Sequence, residues 1–249
     1  EQWSVYQEKG PGRVSPFFFF FFMANAIAGH VFIMANFAGV FINITNACAA
    51  GSHAIGEAAR LIWDGTCDVV LSGSAEAGVT PLVVSAFAKM GALSKRVDDP
   101  KAASRPFDKD RDGFVIGEGA GFMVVESLES ALKRGATIYG EIVGYGRSGD
   151  AYHITAPHPE GGGAGRAMKM ALDTAGEKPS FVKHINVHGT STPLGDIGEA
   201  KAIDTIFGED APPITSTKGV TGHLIAGAGS VEAIIAVLTI RDKSIPPTA

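Results

Sequence analysis

The chain is poor in cysteine, carries no sustained basic run and has no apolar stretch long enough to cross a bilayer. Only two of its 249 residues are cysteines, Cys48 and Cys67. No disulfide framework is available, and a reducing compartment is expected. Neither a C-x-x-C nor a His-Glu-x-x-His motif is present, which argues against a zinc site. With 21 Lys and Arg against 26 Asp and Glu, the net charge of −5 argues against a nucleic-acid binder. Residues 1–15 are polar, with neither an initiator Met nor the layout of a signal peptide. Phe17 to Phe22 form an unbroken phenylalanine run, but the apolar stretch ends at Asn25, and His30, Asn36 and Asn43 follow. That is short of the ~20 residues a spanning helix needs. The run reads as a buried helix or an interface segment, with no membrane partner.

What the chain does have is apolar bulk and glycine. At 45% apolar residues it can bury a large core as one big domain or two halves, and 32 glycines suit many strand–helix turns. Val40 to Thr45 is β-branched and predicts a strand. Ala49 to Trp63 is rich in small residues and predicts a helix. Val69 to Leu71 reads as a buried strand that Cys67 leads into as core, Gly73 to Gly78 as a loop, and Pro81 to Met90 as a helix opened by proline. Further strands are predicted at Gly119–Glu126, Tyr139–Tyr145 and His184–Gly189. Further helices are predicted at 127–134, 167–175 and 230–241. This alternation argues for α/β layers.

Asp108, Asp110, Asp112 and Gly113 imitate a calcium loop, but the twelfth position is Gly119 where a bidentate glutamate is required. These carboxylates are expected to cap turns and pair with Arg105 and Arg111. Gly161 to Arg166 could hold phosphate at a helix start, yet the G-x-G-x-x-G spacing is absent. The stretch reads as a flexible turn.

Asn46-Ala47-Cys48-Ala49-Ala50-Gly51 organises the rest. Cys48 is placed at a strand-to-helix turn, where free helix N–H groups would favour thiolate and supply donors for an oxyanion. A buried structural cysteine fits the same stretch, so both readings stand. His188 ends a predicted strand beside Gly189-Thr190-Ser191-Thr192-Pro193, where open α/β sheets bind ligands. Lys218 and His223 lie among Gly and Thr. Each histidine alone is more often structural. Together with a cysteine at a helix start, the three loops suggest thiol-based acyl chemistry.

These motifs, with Arg105-Pro106-Phe107-Asp108 and Gly113-Phe114-Val115-Ile116-Gly117-Glu118-Gly119, resemble the β-ketoacyl-[acyl-carrier-protein] synthases, in particular the elongating type II condensing enzymes. The resemblance runs from about Gly10 to the C-terminus. It implies the thiolase fold, a duplicated five-layer αβαβα sandwich, here incomplete at both ends. Residues 1–136 would belong to the N-terminal half and 137–249 to the C-terminal half. It further implies an acyltransferase catalysing decarboxylative Claisen condensation with malonyl-acyl-carrier protein in fatty-acid elongation. Cys48 would be the acylated nucleophile, and His188 and His223 would stabilise the enolate. Lys218 would support the two histidines, with the Glu232 carboxylate near it. Thr190 and Thr192 would bind pantetheine amides, and Phe87 would line the acyl pocket. No metal or organic cofactor is implied. The partners implied are acyl-carrier protein and a second copy of the chain, paired through the apolar segment before Cys48. The location implied is bacterial cytoplasm or an organellar matrix. A polyketide-synthase ketosynthase domain, or a non-catalytic ketosynthase-like dimer partner, would share many of these motifs. His223 argues against the initiating synthases, which carry Asn there, and the setting of Cys67 argues against degradative thiolases.

Overall fold

The computed structural model describes residues 2–248, apart from the side chains of Phe21 and Phe22. The chain divides into two compact units, Glu1–Thr45 and Asn46–Ala249.

The first unit contains helices α1 (Gln2–Lys9), α2 (Phe18–Phe22) and α3 (Ala26–Met34). Its contacts are local. Trp3 stacks on Tyr6 at 5.6 Å, and Phe32 meets Phe37 and Phe41 edge-on at 5.8 and 5.2 Å. Phe17 to Phe20 are exposed, so the expected buried helix is not found. A five-residue helix that is apolar all round has no polar face to turn outward and no single face to bury. Val40 to Thr45 forms no strand, because no ladder partner lies alongside it among the described residues. Among the described residues, no helix is long and apolar enough to cross a membrane.

In the second unit, helix α4 (Ala50–Trp63) follows a 3₁₀ turn over Ala47–Ala49. Then come β1 (Val69–Glu76), α5 (Pro81–Met90), β2 (Gly119–Glu126), α6 (Leu128–Lys133) and α7 (Gly162–Ala175). After these stand β3 (Ile185–Asn186), α8 (Pro193–Phe207), β4 (Ile214–Thr215), α9 (Lys218–Thr221) and α10 (Ala228–Asp242). Pro81 opens α5 after a Thr80 cap that accepts from Val83 N at 3.4 Å, and Gly91 ends it in the left-handed region.

β1 and β2 pair antiparallel along their full length, from Val69↔Glu126 to Glu76↔Gly119. The loop expected from Gly73 is therefore the second half of a strand. Its small residues serve close packing, because α10 crosses here and Ser74 Oγ meets Ser230 Oγ at 2.5 Å. The opposite end is less covered than expected. Val69 and Leu71 are exposed, and Cys67 is half-buried where its N–H donates to Leu61 O at 3.0 Å.

β3 and β4 pair in parallel over two residues each. Tyr139–Tyr145 carries no strand ladder, and its Tyr145 carbonyl accepts from Thr174 Oγ1 at 3.2 Å. A cavity of about 390 Å3 opens between α7, β3 and α10, lined by Met168, Leu172, Ile185, Phe207 and Ala233 among others. Both predicted strands here are short or absent because neither finds a complete ladder among the described residues.

The centre of this unit is the crossing of α4 and α10. A Cβ on Gly51 would lie 2.5 Å from Ser230 N, and one on Gly229 would lie 2.5 Å from Ser52 Oγ. Each helix presents a glycine to the other's backbone at the same step. Only hydrogen at both positions permits the approach.

Candidate active site

The crossing of α4 and α10 sets where Cys48 sits. Ala47 takes a left-handed φ of 46°, a strained setting for a residue with a Cβ, and turns the chain sharply into the 3₁₀ turn that carries Cys48. The half-buried Cys48 Sγ lies 2.9 Å from His223 Nε2, across 175 residues of sequence.

His223 is fixed by its backbone. Its N–H donates to Val115 O at 2.7 Å, and Gly117 N donates to its carbonyl at 2.9 Å. The motif Gly113 to Gly117 thus acts as a rail for the histidine loop. The His223 ring is 2% exposed and meets Phe114 and His188 edge-on, each at 5.2 Å between centroids. Phe87 packs on the far side of Phe114 at 5.4 Å, one ring removed from the histidine.

His188 stands two residues past β3. A carboxylate not expected from the sequence clamps its backbone. Glu199, on α8, accepts from His188 N and Gly189 N, each at 2.7 Å. Burial pushes the Glu199 carboxyl up, and those two N–H bonds oppose the rise. Asp196, one turn earlier, accepts from Phe107 N at 2.8 Å and pairs with Arg111 at 3.3 Å. Burial raises its pKa against both contacts. This pair ties the Arg105–Gly113 loop to the Thr190–Pro193 loop, and Arg111 also donates to Thr192 O at 3.1 Å. The expected partnership of Asp108 with Arg105 is present at 3.9 Å, whereas the Arg111 side chain goes to Asp196 and to the Asp108 backbone. Thr190 and Thr192 face each other, hydroxyl to hydroxyl, at 3.0 Å.

Lys218 is 1% exposed and ion-paired with Glu232 Oε1. Ser104 Oγ donates to its carbonyl at 2.6 Å, and Ser216 Oγ donates to Gly189 O at 2.7 Å. These bonds lock the Lys218 and His188 loops together. Burial pushes the Glu232 carboxyl up while Lys218 opposes it, as expected of a desolvated pair.

The electrostatics correct one expectation. Burial pushes the Cys48 thiol up, outweighing its backbone hydrogen bond and the Lys218 charge, so the resting group is the thiol and not a thiolate. The histidines move the other way. Burial first, and Lys218 second, bring His223 down to about 3. His188 is exposed yet densely flanked by protein, and it is driven well below the ordinary value for the same reasons, with His223 adding to them. Both rings are neutral at neutral pH. Each can therefore present one N–H and one lone pair.

One other expectation changes. The stretch read as a flexible turn, Gly161 to Arg166, is helical from Gly162 onward, and Asp150 Oδ1 accepts from Gly163 N at 3.0 Å in its first turn. His184, outside the cluster, meets Thr215 Oγ1 at 2.8 Å. Four residues whose roles the sequence did not show, Phe114, Asp196, Glu199 and Ser216, work as supports. Only Asp196 and Glu199, spaced i, i+3 on one helix face, left a readable signal.

Comparison with known proteins decides the family. Residues 1–131 match the beta-ketoacyl synthase N-terminal domain, and residues 139–249 match its C-terminal domain. The chain belongs to the β-ketoacyl synthase family. Curated β-ketoacyl synthases similar to it include the 3-oxoacyl-[acyl-carrier-protein] synthase 2 of Synechocystis sp., 50% identical over 100% of this chain and 60% of that protein. The protein of the same name from Vibrio cholerae is 50% identical over 97% of this chain and 59% of its own length. The chain thus spans about 60% of the curated relatives it matches. A solved type II polyketide ketosynthase, in complex with its acyl-carrier protein, superposes with a TM-score of 0.93 at 38% identity, covering 96% of this chain and 59% of that one. A β-ketoacyl synthase from Burkholderia phymatum does so with a TM-score of 0.93 at 36% identity, covering 99% and 60%. The fold is the thiolase α/β fold of the ketosynthases, of which this chain is a part.

Proposed function

We propose that this chain carries the reaction centre of an elongating condensing enzyme of fatty-acid synthesis. The observation that carries the reading is the meeting of Cys48 Sγ with His223 Nε2 at 2.9 Å, beside the His188 ring. Acyl transfer begins at Cys48. Its sulfur attacks the thioester of an acyl-carrier protein, the thiol proton passes to the carrier's departing thiolate by way of His223, and an acyl-Cys48 thioester remains. Malonyl-carrier protein binds next. Its C–C bond breaks to release CO2, and the electron pair forms an enolate whose oxygen accepts Nε2–H bonds from His188 and His223. The enolate carbon attacks the acyl carbonyl, the C–S bond breaks, and Cys48 leaves as thiolate.

Neutral imidazoles suit this task because they donate N–H without offering a proton that would quench the enolate. Lys218, paired with Glu232, supports the developing negative charge. Thr190 and Thr192 offer hydroxyls to the pantetheine amides, and Phe87 borders the acyl chain. Residues 1–136 form part of one thiolase half and 137–249 part of the other. The apolar segment Val40 to Ile44, exposed at Val40, Phe41 and Ile42, is where a second copy would pair, in a reducing compartment such as bacterial cytoplasm or an organellar matrix. Identity favours the fatty-acid pathway over the polyketide one, at 50% to the curated synthases against 38% to the polyketide ketosynthase.

The test separates the two half-reactions, with a full-length relative assayed alongside as reference. His223→Ala should slow malonyl-carrier decarboxylation about 10²–10³-fold while Cys48 still self-acylates. Cys48→Ala should abolish acyl transfer and leave decarboxylation measurable. Decarboxylation by His223→Ala at the unaltered rate would sink the two-histidine mechanism.

A further inference from the structure

The same three side chains form a constellation that condensation does not require. One thiol sulfur and one nitrogen from each of two imidazoles, on Cys48, His188 and His223, all lie within 4.8 Å of one another. We propose that these residues form an inhibitory site for a thiophilic divalent cation of the zinc class, which caps the Cys48 sulfur.

The donor set is the first argument. One sulfur and two imidazole nitrogens are borderline-soft ligands that select Zn2+ and its chemical neighbours over Mg2+ or Ca2+. Spacing is the second. Zinc bonds of about 2.3 Å to sulfur and about 2.0–2.1 Å to nitrogen, at tetrahedral angles, set neighbouring ligand atoms roughly 3.3–3.6 Å apart. The Cys48–His223 pair at 2.9 Å must open slightly, and the wider separations must close by about 1 Å, which side-chain rotation supplies. Preorganisation is the third. The backbone of His223 is railed by Val115 and Gly117, and that of His188 is held by Glu199. The loops therefore pay little entropy on binding.

The Lys218 ammonium works against the cation, and its ion pair with Glu232 and the thiolate formed on binding offset part of that charge. On binding, the Cys48 S–H bond breaks, an S–metal bond forms, and the proton goes to solvent. Each imidazole gives a lone pair, and no electron changes hands. Three protein ligands leave the fourth position to water, the open pattern of non-structural zinc sites. One feature limits affinity. His223 Nδ1 is buried and has no hydrogen-bond partner among the described residues, so the supporting acceptor that usually strengthens a ligating histidine is missing there. Binding is accordingly reversible, not structural. The binding stands on geometry alone. Its consequence, arrest of condensation through the masked sulfur and both enolate donors, rests on the function proposed above.

The test uses metal-free protein and Co2+ as the spectroscopic probe. One equivalent should produce sulfur-to-cobalt charge transfer in the near ultraviolet and the strong visible bands of tetrahedral cobalt, both displaced by Zn2+. Cys48→Ser, checked for an unchanged circular dichroism spectrum, should lose the charge-transfer band. His188→Ala should weaken binding at least about tenfold. Zn2+ should slow iodoacetamide labelling of Cys48 while Cys67, the internal standard, reacts as before. A weak octahedral spectrum identical in the unaltered chain and Cys48→Ser, or Cys48 labelling unchanged at saturating Zn2+, would overturn the site. If condensation fails while the cobalt spectrum persists, only the functional reading falls. If condensation runs and no cobalt binds, only the metal site falls.

Discussion

Glu1–Thr45 and Asn46–Ala249 are both rich in apolar residues, yet they are organised by opposite means. In the first unit the large side chains meet neighbours close in sequence, such as Trp3 with Tyr6 and Phe32 with Phe37, and none of the described helical residues is buried. In the second, the decisive contacts join residues more than a hundred positions apart through small groups. Gly51 meets Ser230, Ser74 meets Ser230, and Ser104 meets the Lys218 carbonyl. Hydrophobic content therefore does not decide order here. The second unit gains its buried site from close backbone approach and matched hydrogen bonds, for which bulky side chains are an obstacle.

The largest effect should come from filling that approach. Gly51→Ala places a methyl 2.5 Å from the Ser230 backbone and should cost about 1–3 kcal/mol as overpacking, read as a lower urea midpoint. A midpoint unchanged within error would show that α4 and α10 are not held at that distance.

A middle effect should appear in acid. The folded pKa of His223, about 3, lies below its ordinary value, so the unfolded chain binds the proton first as pH falls. The stability that depends on neutral His223 is whole above about pH 6.5 and is lost progressively toward pH 3. His188 acts in the same direction. Urea midpoints measured between pH 7 and pH 4 should fall less steeply for His223→Gln than for the unaltered chain. Equal slopes would mean that the ring is solvated.

The smallest effect should lie in the first unit. Met34 is 86% exposed, and Met34→Ala should change stability by less than about 0.5 kcal/mol. A loss of 2 kcal/mol or more (roughly a core-sized loss) would reveal cover over that unit and erase the contrast.

The same contrast governs what could be read in the sequence. Helices α4, α5 and α10 and strand β2 were legible to within a residue or two, because local signals set them: apolar spacing, Pro81, a leading glycine. The second half of β1 was not, because Gly73, Ser74 and Ala75 look like a loop until α10 is laid across them. Val40–Thr45 and Tyr139–Tyr145 read as strands by composition but lack a ladder partner among the described residues, and no local pattern reports that. At the site, Cys48, His188, Lys218, His223 and Glu232 were legible as motif residues, and the structure brings them together. The roles of Phe114 and Ser216 were not, since they hold a neighbour's ring or backbone, and Glu199 showed only in its i, i+3 spacing from Asp196. The resting protonation of Cys48 was misjudged because burial is a property of the assembled loops, not of the helix start that carries the sulfur.

The separation of Cys48 from His223 by 175 residues has a kinetic side as well. At roughly 5–20 residues per second, a ribosome needs roughly 9–35 s to make the chain between them. Throughout that interval the thiol has left the synthetic machinery without the ring that will shelter it. Bringing the two together closes a very long loop, one of the slower kinds of contact to form. The Cys48–His223 contact is therefore assembled late, and until then the nascent chain carries a bare sulfur that only the redox state of its surroundings protects.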